Sequence, residues 1–418
     1  MCQRLTSVLQ HPTATRHAIH LLGMFPLLAK PIASKIGRGI ASAARRKMIL
    51  KICSIGTAVP EHSITQQNAA ELAVQLQSSS GHVRAIKRLY QRSGVAARHS
   101  VLLCRSSNGL PATQTFYRSP QNATDRGPTL SDRIHVYEQC ATDLAVHATL
   151  NALRDSNVSP ESITHLISIS CTGFAAPGFD LQLCERIGLN RQVARTHIGF
   201  MGCHALLNGL RVARMISMAE PDAVVLVCAV ELCTLHQQYS SDAEKLVSNS
   251  LFADGAAALI CTAEANDHLA SDAVAASGKF RLVANGSQIV PDSQQLMSWR
   301  MGDYGFEMTL DSAVPKMVET HLRPWLHDWL QQRGYSIEDV ASWAVHPGGP
   351  RILDAVEQTL HLPADALEDS RQILANYGNM SSPTVAFVLE RLVAAGKFGP
   401  CVMLAFGPGL TIEAALLS

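Results

Sequence analysis

The chain has 418 residues, a hydrophobic fraction of 47% and a formal net charge of +1. That length and apolar content allow one large domain or two fused ones with a substantial core, and the near-neutral charge gives no electrostatic reason to expect nucleic acid as a partner. The eleven cysteines are scattered and never form a C-x-x-C pair, so neither a disulfide framework nor a zinc site is indicated, and a reducing, cytoplasmic setting is the natural reading.

Before Glu61 there is no acidic residue, while Arg4, Arg16, Lys30, Lys35, Arg38, Arg45, Arg46 and Lys47 supply cations. Residues 1–47 read either as an Arg-rich organelle transit peptide or as a poorly ordered basic extension ahead of a second start at Met48. Pro12, Pro26 and Pro31 break any long amphipathic helix there and favour the extension. The globular part begins near Met48 with a strand that ends in a turn at Pro60. A polar stretch from Arg105 to Arg126 reads as a surface loop, followed by a helix from Val136 to Ser156 and a strand over His165 to Ser170. Next come a helix after Cys203 and strands over Ala223 to Leu232 and Gly255 to Ala263. The longest apolar run, Ala223 to Val230, falls far short of the roughly 18 residues a membrane span needs. After Ala275 the alternation runs again: a helix over Val314 to Arg333, a strand over Ser342 to His346, helices near Arg351 to Leu360 and Pro383 to Ala395, and closing strands Cys401 to Phe406 and Thr411 to Leu417. Strands apolar on both faces, alternating with helices, mark a buried α/β sheet. The pattern divides into an N-terminal half, 48–265, and a C-terminal half, 266–418.

Four stretches carry chemistry. Gly199-Phe-Met-Gly202 leads into Cys203, and the apolar spacing from Leu206 to Ala213 places that cysteine at a helix N-terminus. Such a site favours thiolate over thiol, although any one cysteine is more often a buried structural residue. In Ala344-Val-His346-Pro-Gly348-Gly349-Pro, a strand delivers a histidine into a turn stiffened by proline and opened by glycine. Asn379 in Asn376-Tyr-Gly-Asn379-Met-Ser-Ser precedes a helix, where it could also be a simple N-cap. Phe406-Gly407-Pro-Gly409 makes a tight turn between the last two strands.

In order and spacing these stretches resemble the type III polyketide synthases, the chalcone synthase-like enzymes, over about Met48 to Ser418. Leu251-Phe-Ala-Asp-Gly and Val290-Pro-Asp-Ser extend the likeness. The resemblance implies a thiolase-like αβαβα fold built from two related halves, a homodimer, and a Cys-His-Asn triad of Cys203, His346 and Asn379. It implies coenzyme A thioesters as substrates, an acyl-CoA starter and malonyl-CoA extender, with no cofactor and no metal. Arg84, Lys87 and Arg88 resemble the family's CoA-contacting helix. Gln237 and Met308 stand where plant members carry two phenylalanines at the junction of tunnel and cavity.

Thr172, Ala176 and Cys233 match small residues that line an extra acyl tunnel in bacterial alkylpyrone and alkylresorcinol synthases. Each buried methylene adds about 0.8 kcal/mol, so a tunnel of this kind predicts long fatty acyl starters and alkylpyrone or alkylresorcinol products. Small-starter synthases of phloroglucinol, tetrahydroxynaphthalene or chalcone type are the alternative. Three other readings share parts of the pattern: a β-ketoacyl carrier-protein synthase III, a non-catalytic acyl-binding scaffold, and a papain-like cysteine hydrolase.

Overall fold

The computed structural model describes residues 49–77, 82–104, 113–264 and 280–418. The basic extension 1–47 lies outside them, as does part of the expected loop, 105–112. In the first half the elements are β1 (Leu50–Ala58), β2 (Ser63–Thr65), α1 (Gln66–Gln75), α2 (Val83–Gln91), β3 (Ala97–His99), α3 (Leu130–Ser156), β4 (His165–Ser170) and α4 (Phe179–Ile187). They continue with β5 (Ala194–Gly199), α5 (Ala205–Ala219), β6 (Val224–Leu232), α6 (Ala243–Leu251) and β7 (Asp254–Ala263). The second half holds β8 (Phe280–Ile289), the hairpin β9 (Met297–Gly302) and β10 (Gly305–Leu310), α7 (Val314–Gln331) and β11 (Ser342–Val345). After these come α8 (Pro350–Leu360), α9 (Glu368–Tyr377), α10 (Thr384–Ala394), β12 (Cys401–Gly407) and β13 (Thr411–Leu417).

Nine strands form one sheet in the order β11-β12-β13-β8-β1-β7-β6-β4-β5. Its two sides repeat one plan. In the first half β4 runs parallel to β6, β6 antiparallel to β7, and β7 antiparallel to β1. In the second, β11 runs parallel to β12, β12 antiparallel to β13, and β13 antiparallel to β8. Only β5 lacks a counterpart in that comparison. The halves meet where Leu50, Lys51 and Ile52 pair with Leu282, Arg281 and Phe280.

Period-two alternation sorts the strand residues into layers. Val225, Val227 and Ala229 of β6, and Cys401, Met403 and Ala405 of β12, face a common core with α5 and α10. The alternate residues Val224, Leu226 and Cys228 face α3 and α4. Val402, Leu404 and Phe406 face α7 and α8. Helices α5 and α10 are therefore sandwiched between the two half-sheets, which is the αβαβα arrangement. Their sequences suit that place: Ala205, Leu206, Leu207 and Leu210, and Val385 through Leu389, are all buried, as a helix covered on both sides requires. The N-termini of these two central helices carry the cysteine and follow the asparagine of the candidate site.

Candidate active site

Cys203 lies in a 3₁₀ turn, Gly202–His204, that runs straight into α5. Gly202 adopts φ +73°, and a Cβ there would stand 2.5 Å from the Pro408 ring. Gly407 is more restricted still, since its Cβ would stand 2.2 Å from the His204 ring. The Phe406 to Gly409 turn is thus a surface against which the cysteine segment packs, more than a reversal of the chain. Gly409, at φ +123°, turns the chain into β13 and donates its N–H to Met297 O at 3.1 Å.

His346 follows β11. Its backbone N–H donates to Leu404 O at 2.8 Å and its carbonyl accepts from Gly348 N at 2.9 Å, which bends the chain back before Gly349 and α8. The ring is buried, and neither of its nitrogens has a hydrogen-bond partner within the protein. Asn379 is clamped beside α6: its N–H donates to Leu251 O and its carbonyl accepts from Ala253 N, both at 2.9 Å, in a parallel bridge with Phe252. It does not cap α10, whose N-cap position is Pro383. Its Oδ1 accepts from Ser381 N at 2.8 Å, which turns Nδ2 toward Gly348 O at 3.5 Å. The amide donor is therefore oriented but only weakly engaged. Asn379 and Ser381 side chains both face the Cys203 thiol, and the Asn379 amide faces the backbone carbonyl two residues after His346.

Burial dominates the electrostatics. It pushes the Cys203 thiol up to about 11, with Ser381 and Asn379 pulling it back and the charge of Glu231 adding to the rise. Burial, with a further contribution from His204, pushes His346 down to about 3. Desolvation thus opposes the helix end, which by itself would favour a thiolate.

Sequence reasoning assigned no role to Glu231, although an acid inside the otherwise apolar β6 was a usable signal. It is fully buried. Its Oε2 accepts from Cys171 N at 2.9 Å and Thr172 Oγ1 at 2.8 Å, and its Oε1 from Ser382 Oγ at 2.6 Å. Burial raises its carboxyl to about 7 despite those donors.

Two cavities flank the site. A cleft of about 680 Å³ runs between α2, α6 and the turn after His346, lined by Arg88, Arg92, Leu251, Gly348, Gly349 and Arg351 among others. Of the three expected cations only Arg88 lines it; Arg84 and Lys87 are exposed elsewhere on α2. Arg92, one helical turn beyond Arg88, and Arg351 are its other cations, and Glu244 and Asp311 also line it. The second cavity, about 20 Å³, is lined by Cys233, His236, Gln237, Phe252, Trp299, Phe306 and Met308. Gln237 and Met308 thus share one cavity, and Phe252 joins them there. Of the three expected acyl-tunnel residues, Cys233 lines this cavity and Thr172 and Ala176 do not. Thr172 is committed to Glu231 and to Leu232 N at 2.8 Å, Ala176 sits on an exposed loop, and the space beside Cys233 holds about one water. His236 fills the rest. Its Nε2 donates to Thr172 O at 2.6 Å, its Nδ1 accepts from Phe306 N at 3.0 Å, and its ring stacks on Phe306 at 4.3 Å. Trp299 stands edge-on and donates to Cys171 O at 2.7 Å.

Comparison with known proteins gives these residues a family. Residues 38–265 match the N-terminal domain of chalcone and stilbene synthases, and residues 281–418 match their C-terminal domain. The chain is a type III polyketide synthase of the chalcone and stilbene synthase family. It is accordingly a malonyl-CoA-dependent acyltransferase. The synthase is 30% identical to the alpha-pyrone synthesis polyketide synthase-like Pks18 of Mycobacterium tuberculosis, over 87% of this chain and 89% of that protein. It is 32% identical to 1,3,6,8-tetrahydroxynaphthalene synthase of Streptomyces peucetius, over 88% of this chain and 92% of that one. The crystal structure of PKS-I from the brown alga Ectocarpus siliculosus superposes with a TM-score of 0.81 at 26% identity, covering 90% of this chain and 99% of the other.

Glu231 offers a direct test of the electrostatics. Its folded value, about 7, lies above its ordinary 4.5. The stability gained from the protonated carboxyl is therefore complete below about pH 4.5 and lost as pH rises through about 7. Glu231→Gln should flatten that decline in urea unfolding between about pH 5 and 8. It should also speed alkylation of Cys203 by iodoacetamide several-fold near neutrality. An unchanged pH slope together with an unchanged alkylation rate would remove Glu231 from the account.

Proposed function

We propose that Cys203 takes the starter acyl group from its coenzyme A thioester, and that His346 and Asn379 then stabilise the enolate formed when malonyl-CoA loses carbon dioxide. Supporting this are a buried thiol with the Asn379 amide beside it, that amide only half engaged, and a buried imidazole without a protein partner at the end of the neighbouring strand. Burial penalises each charge taken singly. Moving the thiol proton to His346 makes two opposite charges at once, so the pair titrates as a unit. The thiolate displaces coenzyme A from the starter. The enolate carbon attacks the resulting thioester and releases Cys203. Each donor aimed at the enolate oxygen is worth about 3 kcal/mol, and an amide serves because it donates without ever being deprotonated. In this reading residues 48–265 contribute the nucleophile and 266–418 the enolate donors.

The coenzyme A thioester enters through the larger cleft, its phosphates meeting Arg88, Arg92 and Arg351. The double reversal Arg88→Glu, Arg92→Glu should raise KM for acyl-CoA about tenfold or more with kcat little changed, because rim cations act on binding. Lys87→Glu serves as the off-cleft control. A double variant with wild-type KM would place the thioester elsewhere.

The starter is a short acyl group. What supports this is the packing of His236, Phe306 and Trp299 against one another beside Cys233. The small side chain of Cys233 and the likeness to Pks18 keep the long-chain alkylpyrone reading as the second choice. In an acetyl- to stearoyl-CoA series with labelled malonyl-CoA, turnover should fall with chain length, and His236→Ala should restore longer starters at least tenfold. A wild-type enzyme that prefers stearoyl-CoA would overturn the short-starter reading and favour the second.

The synthase works as a homodimer in the cytoplasm. Phe174, Phe200 and Met201 are exposed together beside β5, the sheet edge, with the two phenylalanine rings 6.2 Å apart. An apolar patch next to an open strand edge calls for a covering surface. All ten cysteines among the described residues are free, as suits a reducing compartment. Among the described residues no helix is long and apolar enough to cross a membrane. Phe200→Glu should shift the mass measured by light scattering from dimer to monomer; a wild-type monomer would reject the dimer.

A further inference from the structure

A helix leaves its last four carbonyls without partners inside the helix, and a buried carbonyl left unpaired is costly. At the end of α6 each of them is accounted for. Ser248 O accepts from Phe252 N at 3.1 Å. Asn249 O accepts from Arg98 Nη1 at 2.8 Å and from the Tyr90 hydroxyl at 3.2 Å. Ser250 O accepts from Arg98 Nη2, and from Gln66 Nε2 at 2.8 Å. Leu251 O remains, and it takes the Asn379 N–H at 2.9 Å. Just beyond the helix, Phe252 O accepts from Arg98 Nη1 at 2.9 Å.

Arg98 comes from β3 and is only 2% exposed. Its hydrogen-bond partners are three backbone carbonyls and Gln66 Oε1, with no carboxylate among them. The negative end of the α6 dipole stands in for a counterion, and the Tyr90 ring lies 5.5 Å from the guanidinium carbon. A rigid planar fork fixes the spacing of these carbonyls in a way that a flexible ammonium does not. Gly378 completes the fit. It adopts φ +74°, and a Cβ there would stand 3.0 Å from both Leu251 O and the Ala253 side chain. The chain that carries Asn379 is therefore pressed against the segment that Arg98 holds.

We propose that Arg98 is a positioning residue for the reaction: by fixing the carbonyls at the end of α6 it sets where Asn379 stands, and so aims the amide that stabilises the enolate. This rests on the reading of Asn379 as an enolate donor. The hydrogen-bond partners of Arg98 lie on α1 and at the end of α6, and none lies on α5 or in the turn after β11. Acyl loading, which uses Cys203 and His346, is therefore spared when Arg98 is lost. Decarboxylation is not, because a group displaced by about 1 Å loses on the order of 100-fold in rate.

Two half-reactions separate positioning from a merely structural role. One is the release of carbon dioxide from malonyl-CoA alone: the bond to the carboxylate carbon breaks, and the enolate takes a proton from water to leave acetyl-CoA. The other is transfer of a labelled acetyl group from acetyl-CoA to Cys203, read from the mass of the intact protein. Per folded molecule, Arg98→Met should slow the first about tenfold or more and leave the second within about twofold. Arg98→Lys, which keeps the cation and part of the donor set, should fall between Arg98→Met and wild type. A merely structural role would lower both half-reactions by one factor. If Arg98→Met fails to fold, the ratio of the two rates in Arg98→Lys carries the test. Asn379→Ala should lose decarboxylation and keep loading. If it does so while the Arg98 variants keep the wild-type ratio, the role of Arg98 is overturned alone. If Asn379→Ala decarboxylates malonyl-CoA as fast as wild type, the enolate reading falls and the role of Arg98 with it.

Discussion

The fully buried carboxylate of Glu231 is the contact on which the site's construction depends. It comes from β6 in the first half, binds the loop after β4 through Cys171 and Thr172, and reaches Ser382 at the start of α10 in the second. One acid thus joins three chain segments from both halves at the point where nucleophile and amide must meet. A buried carboxylate is costly unless its lone pairs are filled, and here three donors fill them. The same charge lies close enough to raise Cys203, so the group that organises the site also restrains the nucleophile.

Burial shapes the rest of the chemistry. The site is enclosed by α5, α10 and the ends of both half-sheets, which strengthens each interaction directed at a developing enolate and weakens each isolated charge. Burial accordingly raises the Cys203 thiol and lowers the His346 imidazole. Glycine carries part of this arrangement: Gly407 and Gly202 allow the β12 turn and the cysteine turn to interlock at distances that a Cβ would forbid.

The hairpin β9 and β10 sets how far the cavity extends. Trp299 anchors it to the Cys171 carbonyl and Phe306 to the His236 ring. His236 is fixed as a single neutral tautomer, since one nitrogen faces a carbonyl and the other a backbone N–H; burial pushes it down to about 3. A neutral, stacked imidazole is a rigid wall, and it lines the cavity beside Cys233.

Much of this protein was legible in its residue order. Strands apolar on both faces, such as Val224–Leu232, could only be central in a covered sheet, and the observed strand His165–Ser170 coincides with the expected one because β-branched alternation and flanking turns leave little choice. The Cys203, His346 and Asn379 stretches were readable because each combines a reactive side chain with local glycine or proline punctuation. What remained hidden depends on contacts between residues distant in sequence. Nothing near Thr172 announces that its hydroxyl is spent on Glu231. The elevation of the Cys203 thiol was equally invisible, since a helix start is a local feature whereas desolvation is imposed by everything packed around it. Local periodicity and motif chemistry determined the fold class and the family; only the tertiary structure decided how deeply the candidate residues are buried and the size of the space beside Cys233, because burial and cavity volume are properties of packing across the whole chain.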